Sequence, residues 1–419
     1  MSVDIDATRA TRFDPSRRRL LAAFGALGAS AALSLWPRLN LAATGADTRL
    51  LVVLLRGAMD GLHLLPPQGD ADYARLRGAL AVGDALRLDG HFGLHPALPF
   101  AHQLYARKQL LPVLAVAPPY RQRSHFDAQD CLENGSDRPG GARDGWLGRC
   151  VGALGDDAAG VAVAQVMPLA MRGSERVATW SPPLPRPLDD ALMLRLQTLY
   201  AADPQLAAAF DDALQVEDAE MAGGMAGSGA DAGTNTGTPT VTATATAGRR
   251  LGGFRLPDAL AAAARRMRGA EGARVGFVED TGWDTHRGQT QALQRKFGEL
   301  DAGLRAVEQG LGTDWARTVV VLATEFGRTA AVNGSGGTDH GVGSHALLAG
   351  GAVRGGRIAG DWPGLGVRDL HDGRDLRATT DLRALFKGVL LTHLGVPEAA
   401  VESRIFPDSS AVRAMTGLV

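Results

Sequence analysis

The sequence predicts an α/β protein, a three-layer α/β/α sandwich with a mostly parallel central sheet. Continuous apolar runs such as Leu50 to Leu55 and Leu110 to Ala117 lack alternation, as strands buried on both faces do. Segments of helical period lie between such runs, an order that places helices on both sides of a parallel sheet. Acidic and histidine residues gather just after the runs, where ligands collect in open sheets of this kind.

The chain begins with a segment that stands apart from this pattern. In "SRRRLLAAFGALGASAALSLWPRLNLAATGA" the cluster Arg17 to Arg19 precedes an apolar stretch, and Ala42, Ala43 and Ala46 offer small residues for cleavage. The run of roughly sixteen apolar residues, broken by glycines and Pro37, is short against the roughly 20 that span a bilayer. It reads as a signal peptide over residues 1–43, not as a lasting membrane span. The serine, the arginines and the two leucines resemble a twin-arginine export signal, which implies a periplasmic or secreted protein.

Residues 44–419 then read as one domain. "TRLLVVLLRGAMDGLHLLPP" opens it with a strand bounded by Gly57, and "HPALPFAHQLYARKQLLPVLAVA" adds a helix and a second strand. "RVGFVED" is a strand, "QTQALQRKFGELDAGLRAVEQGL" a long helix, and "RTVVVLATEF" another buried strand. In that helix Leu293, Phe297, Leu300, Leu304 and Val307 recur at three- and four-residue steps. "HALLAGGAV" is expected to be a fourth core strand, and "DLRALFKGVLLTHLGV" a C-terminal helix ended by Gly395. Glu220 to Gly248 is almost wholly Gly, Ala, Thr and Ser, and reads as a disordered surface insertion.

Composition narrows the function classes. The chain has 419 residues, is 45% hydrophobic and 21% charged, and has a net charge of -1. Loss of residues 1–43 removes six arginines and three aspartates, so Lys+Arg falls from 44 to 38 and Asp+Glu from 45 to 42, a net charge of -4. No basic stripe with interleaved aromatics is present, so a nucleic-acid partner is not expected. G-x-S-x-G, G-x-x-x-x-G-K-[ST] and G-x-G-x-x-G after a strand are all absent. Cys131 and Cys150 are the two cysteines. An oxidising compartment would permit one disulfide, but spacing alone does not show that they meet.

The chemistry-bearing residues fall at strand ends. Asp60 follows the first strand. Ser124 and His125 follow the second, in "PPYRQRSHFDAQD". Asp280, Asp284 and His286 follow "RVGFV", Glu325 ends "VVVLAT", and Asp339 and His340 lie in "SGGTDHGVGSHALLAGG". If the strands are parallel neighbours, five clusters meet at one sheet edge. Mixed carboxylates and imidazoles suit Zn2+ or Mn2+, whereas carboxylates alone would favour Mg2+ or Ca2+. An ion there polarises a phosphoryl or sulfuryl oxygen, and a hydroxyl attacks. Ser124 alternatively caps a helix, Asp60 a turn, and Glu325 alternatively pairs with Arg328. Arg123 and Arg328 are candidate oxyanion clamps. His345 reads as packed, and His63, His91, His95 and His102 as structural.

The motifs "LLRGAMDGLHLLPP", "FGLHPAL", "RSHFDAQD", "GWLGR", "DTHRGQ", "TEFGRT", "GGTDHG" and "HLGV...IFPDS" occur in order over residues 50 to 408. Together they resemble the bacterial family of exported proteins known as DUF1501, itself similar to the alkaline phosphatase and sulfatase superfamily. The resemblance implies an alkaline phosphatase-like fold, with Asp60, Asp284, His286, Glu325, Asp339 and His340 as metal ligands for one or two divalent ions. It implies Ser124 as nucleophile, assisted by His125 and Arg328, acting on a small-molecule or polymer ester of phosphate or sulfate. Where such relatives carry Asp-His, this chain has Glu325 and Phe326, which puts a second ion in doubt. Asp280 would restore a longer Asp-to-His spacing in the third cluster. The Cys-x-Pro-x-Arg sulfatase signature is absent. The competing expectation is a non-catalytic binding or assembly protein, with a protein partner, that keeps the fold and part of the site.

Overall fold

The order of strands across the sheet decides which loops can meet. The structure is a computed structural model that describes residues 47–156, 158–181 and 255–419, so the expected signal peptide and the 220–248 insertion lie outside the described residues. Strand β1 (Arg49–Leu55) occupies the middle of an eight-stranded sheet and pairs in parallel with β7 (Val275–Asp280) and β8 (Thr318–Ala323). A small antiparallel ribbon, β2 (Leu86–Arg87) with β3 (Gly93–Leu94), sits apart from that sheet. On one side the sheet continues in parallel through β5 (Gly160–Val163) to β6 (Val177–Trp180). On the other it runs through β9 (Ser344–Ala349) and β4 (Leu110–Ala117) to β10 (Thr380–Asp381).

β9 pairs antiparallel with both β8 and β4, so the sheet is mostly parallel, as expected, and the condition that all the site strands be parallel neighbours is not met at β9. The reversal carries a positional consequence. The loop entering β9, rather than the one leaving it, lies at the edge where β1, β7 and β8 end, and that loop carries His340.

Side chains alternate along a strand, and the two faces of β1 feed two cores. Leu51, Val53 and Leu55 belong to one apolar cluster, Leu50, Val52 and Leu54 to the other. Short helices α1 (Gly61–Leu64) and α2 (Tyr73–Arg77) follow β1. The first cluster is covered by α3 (Pro99–Ala106), α6 (Leu256–Met267) and the long α7 (Gln289–Leu311). The second is covered by α4 (His125–Asn134), α5 (Trp146–Ala153) and α8 (Leu382–Thr392). Helices on both faces of a mostly parallel sheet make the expected three layers. The apolar stripe of α7 behaves as its spacing requires, with Leu293, Phe297, Leu300, Leu304 and Val307 fully buried.

Three further expectations meet their outcome here. Cys131 in α4 and Cys150 in α5 are buried free thiols, and burial pushes each up to about 12. His345 is placed inside β9 rather than ahead of it, fully buried, with Nδ1 accepting from the Ala115 amide at 3.0 Å. No helix among the described residues is long and apolar enough to cross a membrane.

Buried imidazoles tie stability to pH. Burial lowers His63 and His95 to about 4 and His345 to about 3. These groups stay neutral in the folded chain while the unfolded chain takes up protons near pH 6.5, so their contribution is complete above about 6.5 and is lost as pH falls toward 4 and then 3. The midpoint of urea unfolding is therefore expected to be lower at pH 5 than at pH 7, with His345 still neutral by NMR at pH 5. A protonated His345 in folded protein at pH 5 would contradict this.

Candidate metal centre

A tight turn after β1 begins the site. Gly57 takes φ +115, and a Cβ there would lie 2.5 Å from the Asp284 amide nitrogen, so only glycine fits this crossing of two loops. The turn presents the Gly57 amide to Glu325 Oε1 at 2.8 Å and the Met59 amide to Thr324 Oγ1 at 3.0 Å. It ends at Asp60, which caps α1 through the His63 amide.

Glu325 is 1% exposed, immediately beyond β8. Oε1 accepts from Gly57, from Gln129 Nε2 at 2.9 Å and from His125 Nδ1 at 2.7 Å, while Oε2 accepts from Thr324 Oγ1 at 2.9 Å. Burial opposes its ionisation, but these hydrogen bonds, His125 foremost, hold the carboxyl below the ordinary glutamate range. The expected alternative partner, Arg328, is engaged elsewhere.

Three imidazoles converge beside it. Nε2 of His340 lies 3.0 Å from Nε2 of His125, 3.1 Å from Nε2 of His286 and 3.3 Å from Asp284 Oδ1. His286 Nε2 is 3.0 Å and His125 Nε2 3.4 Å from the Asp284 carboxylate. At the far side of each ring, Nδ1 meets an oxygen: Glu325 for His125, Asp339 at 3.0 Å for His286, and the Arg123 carbonyl at 3.2 Å for His340. Ionised carboxylates and carbonyls only accept, so each Nδ1 carries a hydrogen, and Nε2, the nitrogen on the Asp284 side of each ring, is the atom that would take an ion on losing its own proton. His125, Asp284 and His340 have ligand atoms all within 4.8 Å of one another, the spacing of a metal-binding group.

The electrostatics fit a cation at that point. The carboxylates of Asp284 and Glu325 raise His125 to about 9, so without an ion this ring holds a proton between them. His125 then works against the buried imidazoles described above, since its contribution is present below pH 6.5 and is lost as pH rises through 9. Burial works to raise Asp284, but hydrogen bonds with His125, His340 and Arg328 drive it far below the usual carboxylate range. Asn333 and His286 lower Asp339, which is more than half exposed.

Asp60 is placed apart from this cluster. It is 1% exposed, pairs with Arg77, and accepts from Gln289 Nε2 at 2.5 Å. Gln289 Oε1 in turn accepts from Thr338 Oγ1 at 2.7 Å, which accepts from Arg328 Nε at 3.1 Å, and Arg328 Nη1 pairs with Asp284. Asp60 thus reaches the cluster through a buried chain of hydrogen bonds. Arg328 is 2% exposed and spends its remaining nitrogen on the Thr338 carbonyl, so it is aimed at a candidate ligand rather than at solvent. Asp280 is likewise withdrawn, pairing with Lys296 and accepting from Trp283 Nε1 at 2.8 Å. Ser124 is the N-cap residue of α4 but makes no side-chain cap, and the nearby Tyr120 hydroxyl donates to Asp127 at 2.8 Å. Arg123 is turned to Asp375.

Phe326 follows Glu325 and is 3% exposed, with its ring centroid 4.7 Å from that of His125 and 5.1 Å from that of His340. An apolar ring therefore stands beside the cluster where the resemblance implies an imidazole. With Asp60 and Glu325 both saturated by protein donors, the described residues offer one cation position.

The sheet and its edge define an α/β protein carrying a candidate divalent-metal centre. The chain belongs to the family described as protein of unknown function (DUF1501), whose model matches residues 115–404. Comparison with curated proteins found no match. Among solved structures the chain is similar to a protein in the alkaline phosphatase superfamily from Vibrio parahaemolyticus, with 10% identity, 84% of this chain and 68% of that chain covered, and a TM-score of 0.39. It is also similar to a 2-O GAG sulfatase, with 11% identity, coverage of 88% and 73%, and a TM-score of 0.36. A third is a Bacteroides thetaiotaomicron protein of glycosaminoglycan metabolism, with 8% identity, coverage of 88% and 75%, and a TM-score of 0.40.

Sequence reasoning missed Arg77, Gln289, Thr338 and Asp375. Arg77 and Gln289 sit in ordinary helical segments, where nothing local marks them. Replacing Arg77 by Met leaves the Asp60 carboxylate buried without its cation, and the expected loss of stability is about 3–5 kcal/mol. Urea unfolding of the purified variant checks it, and a change under about 1 kcal/mol would show that Asp60 is not held ionised by this pair.

Proposed function

We propose that the chain is an exported metal-dependent hydrolase of phosphate or sulfate esters that holds one divalent ion on His125, Asp284 and His340, with His286 beside them. One observation carries the reading: three imidazoles have Nδ1 tied to oxygen acceptors and Nε2 turned toward one carboxylate. Such a mixed nitrogen and oxygen set fits Zn2+ or Mn2+ better than Mg2+ or Ca2+. The bound ion would supply Lewis acidity toward the ester oxygen.

The chain's own residues have distinct duties in this reading. Arg328 neutralises Asp284 and keeps its carboxylate ionised. Glu325 and Asp339 hold the rings of His125 and His286. Ser124 is the hydroxyl nucleophile, next in sequence to the ligand His125 and at the positive end of α4. Its oxygen forms the bond to phosphorus or sulfur as the bond to the ester oxygen breaks, the serine proton passes to the departing alcohol, and water later cleaves the serine ester, restoring the hydroxyl and releasing the acid. Export of the folded protein is supported by the residues before position 44.

A second reading, a metal-binding but non-catalytic protein, is favoured by one feature. His286 Nε2 lies 3.0 Å from Asp284 and 3.1 Å from His340, and by joining His125, Asp284 and His340 it would close a tetrahedral shell and leave no open position.

Elemental analysis of the purified protein is expected to find stoichiometric Zn or Mn, lost when His340 is replaced by Ala. Absence of any bound divalent metal after incubation with Zn2+ or Mn2+ would end both readings. With metal bound, hydrolysis of an aryl phosphate or aryl sulfate is expected, and Ser124→Ala should abolish turnover while metal content stays the same. Retained turnover in that variant would remove Ser124 from its role, and full metal content without turnover in the wild type would favour the non-catalytic reading.

A further inference from the structure

His340 is held from two directions, and both holds lead to one carboxylate. Its Nδ1 meets the Arg123 carbonyl at 3.2 Å, and its own carbonyl accepts from Arg374 Nη2 at 2.7 Å. Arg123 adopts φ +62, a conformation non-glycine residues rarely take, and so turns that carbonyl toward the ring. Asp375 grips both arginines. Its Oδ2 accepts from Arg123 Nη2 at 2.7 Å, Arg123 Nε at 3.0 Å and Arg374 Nη2 at 3.2 Å, and its Oδ1 from Arg374 Nε at 2.7 Å.

Asp375 is wholly buried, in the segment "HDGRDLR" that no motif reading singled out. A buried carboxylate is costly unless paired, and here two guanidinium groups pair it. The segment is itself fastened to the loop that carries His340. Thr329 and Asp375 form an antiparallel bridge, the Ala330 amide donates to the Arg374 carbonyl at 3.0 Å, and the Gly343 amide donates to the Leu376 carbonyl at 2.9 Å. Arg328 and His340 form a bridge across the same loop.

We propose that Asp375 is a positioning residue of the metal centre, fixing His340 through Arg123 and Arg374. The inference rests on the metal reading given above. Oxygen partners that orient a ligating imidazole set its affinity for the ion, and for His340 that partner is a backbone carbonyl whose place depends on Asp375. A purely structural clasp would affect stability and leave the ion's surroundings as they are.

The test is titration of the purified full chain with Zn2+ by competition against a chelator, together with visible absorption of the Co2+ form, for wild type, Asp375→Asn and Arg374→Met. Asp375→Asn is expected to bind Zn2+ about 10- to 100-fold more weakly. Arg374→Met should weaken it in the same direction, and both should alter the Co2+ spectrum. Wild-type affinity with an unchanged Co2+ spectrum in folded Asp375→Asn would overturn the inference and leave the metal reading intact. If Asp375→Asn does not fold, Arg374→Met decides: its side chain is 46% exposed and its loss leaves Asp375 paired with Arg123, so an unchanged affinity and spectrum there would overturn the inference. Absence of Zn2+ binding by the wild type would overturn the metal reading and this inference with it.

Discussion

The carboxylate of Glu325 is buried at the end of a central strand, and much of the site's geometry follows from satisfying it. A charge taken out of water is tolerated only when hydrogen bonds replace its hydration. Four groups do so here, from the turn after β1, from Thr324, and from Gln129 and His125 on α4. The turn after β1, the end of β8 and the start of α4 are thereby joined at one atom pair. His125 is oriented as a by-product of this demand, with Nδ1 on the glutamate and Nε2 left to face the other imidazoles.

Around that point the protein builds polar supports that reach the candidate ligands from behind. Asp60, Gln289, Thr338 and Arg328 form a chain ending on Asp284. Asp375 with Arg123 and Arg374 holds His340. Both supports are mostly buried, where hydrogen bonds are electrostatically stronger and a broken one is costly. Ligand atoms are only as well placed as the groups behind them, which gives a physical reason for so many buried charges near one sheet edge.

Phe326 shows how one side chain alters what the same fold can hold. Where an imidazole would bring a second cluster of donors, an apolar ring packs against His125 and His340. Asp60 and Glu325 are each satisfied by protein donors instead.

The positions of β1, β4, β7, β8 and β9, the long helix and the three-layer architecture were determined by the sequence itself, because apolar runs and helical spacing act over a few residues and need no distant partner. The same holds for the gathering of His125, Asp284 and His286, since residues after parallel strands share an edge by construction. What only the tertiary structure decided depends on contacts between residues far apart in the chain. The reversal of β9 places His340 at the edge by the loop entering the strand. Arg77 and Gln289 claim Asp60, Arg328 turns inward to Asp284, and the two cysteines remain free. Asp375 joins the site from a loop without a motif. Each outcome turns on which buried charge finds which partner, a competition between desolvation and pairing that local pattern does not encode.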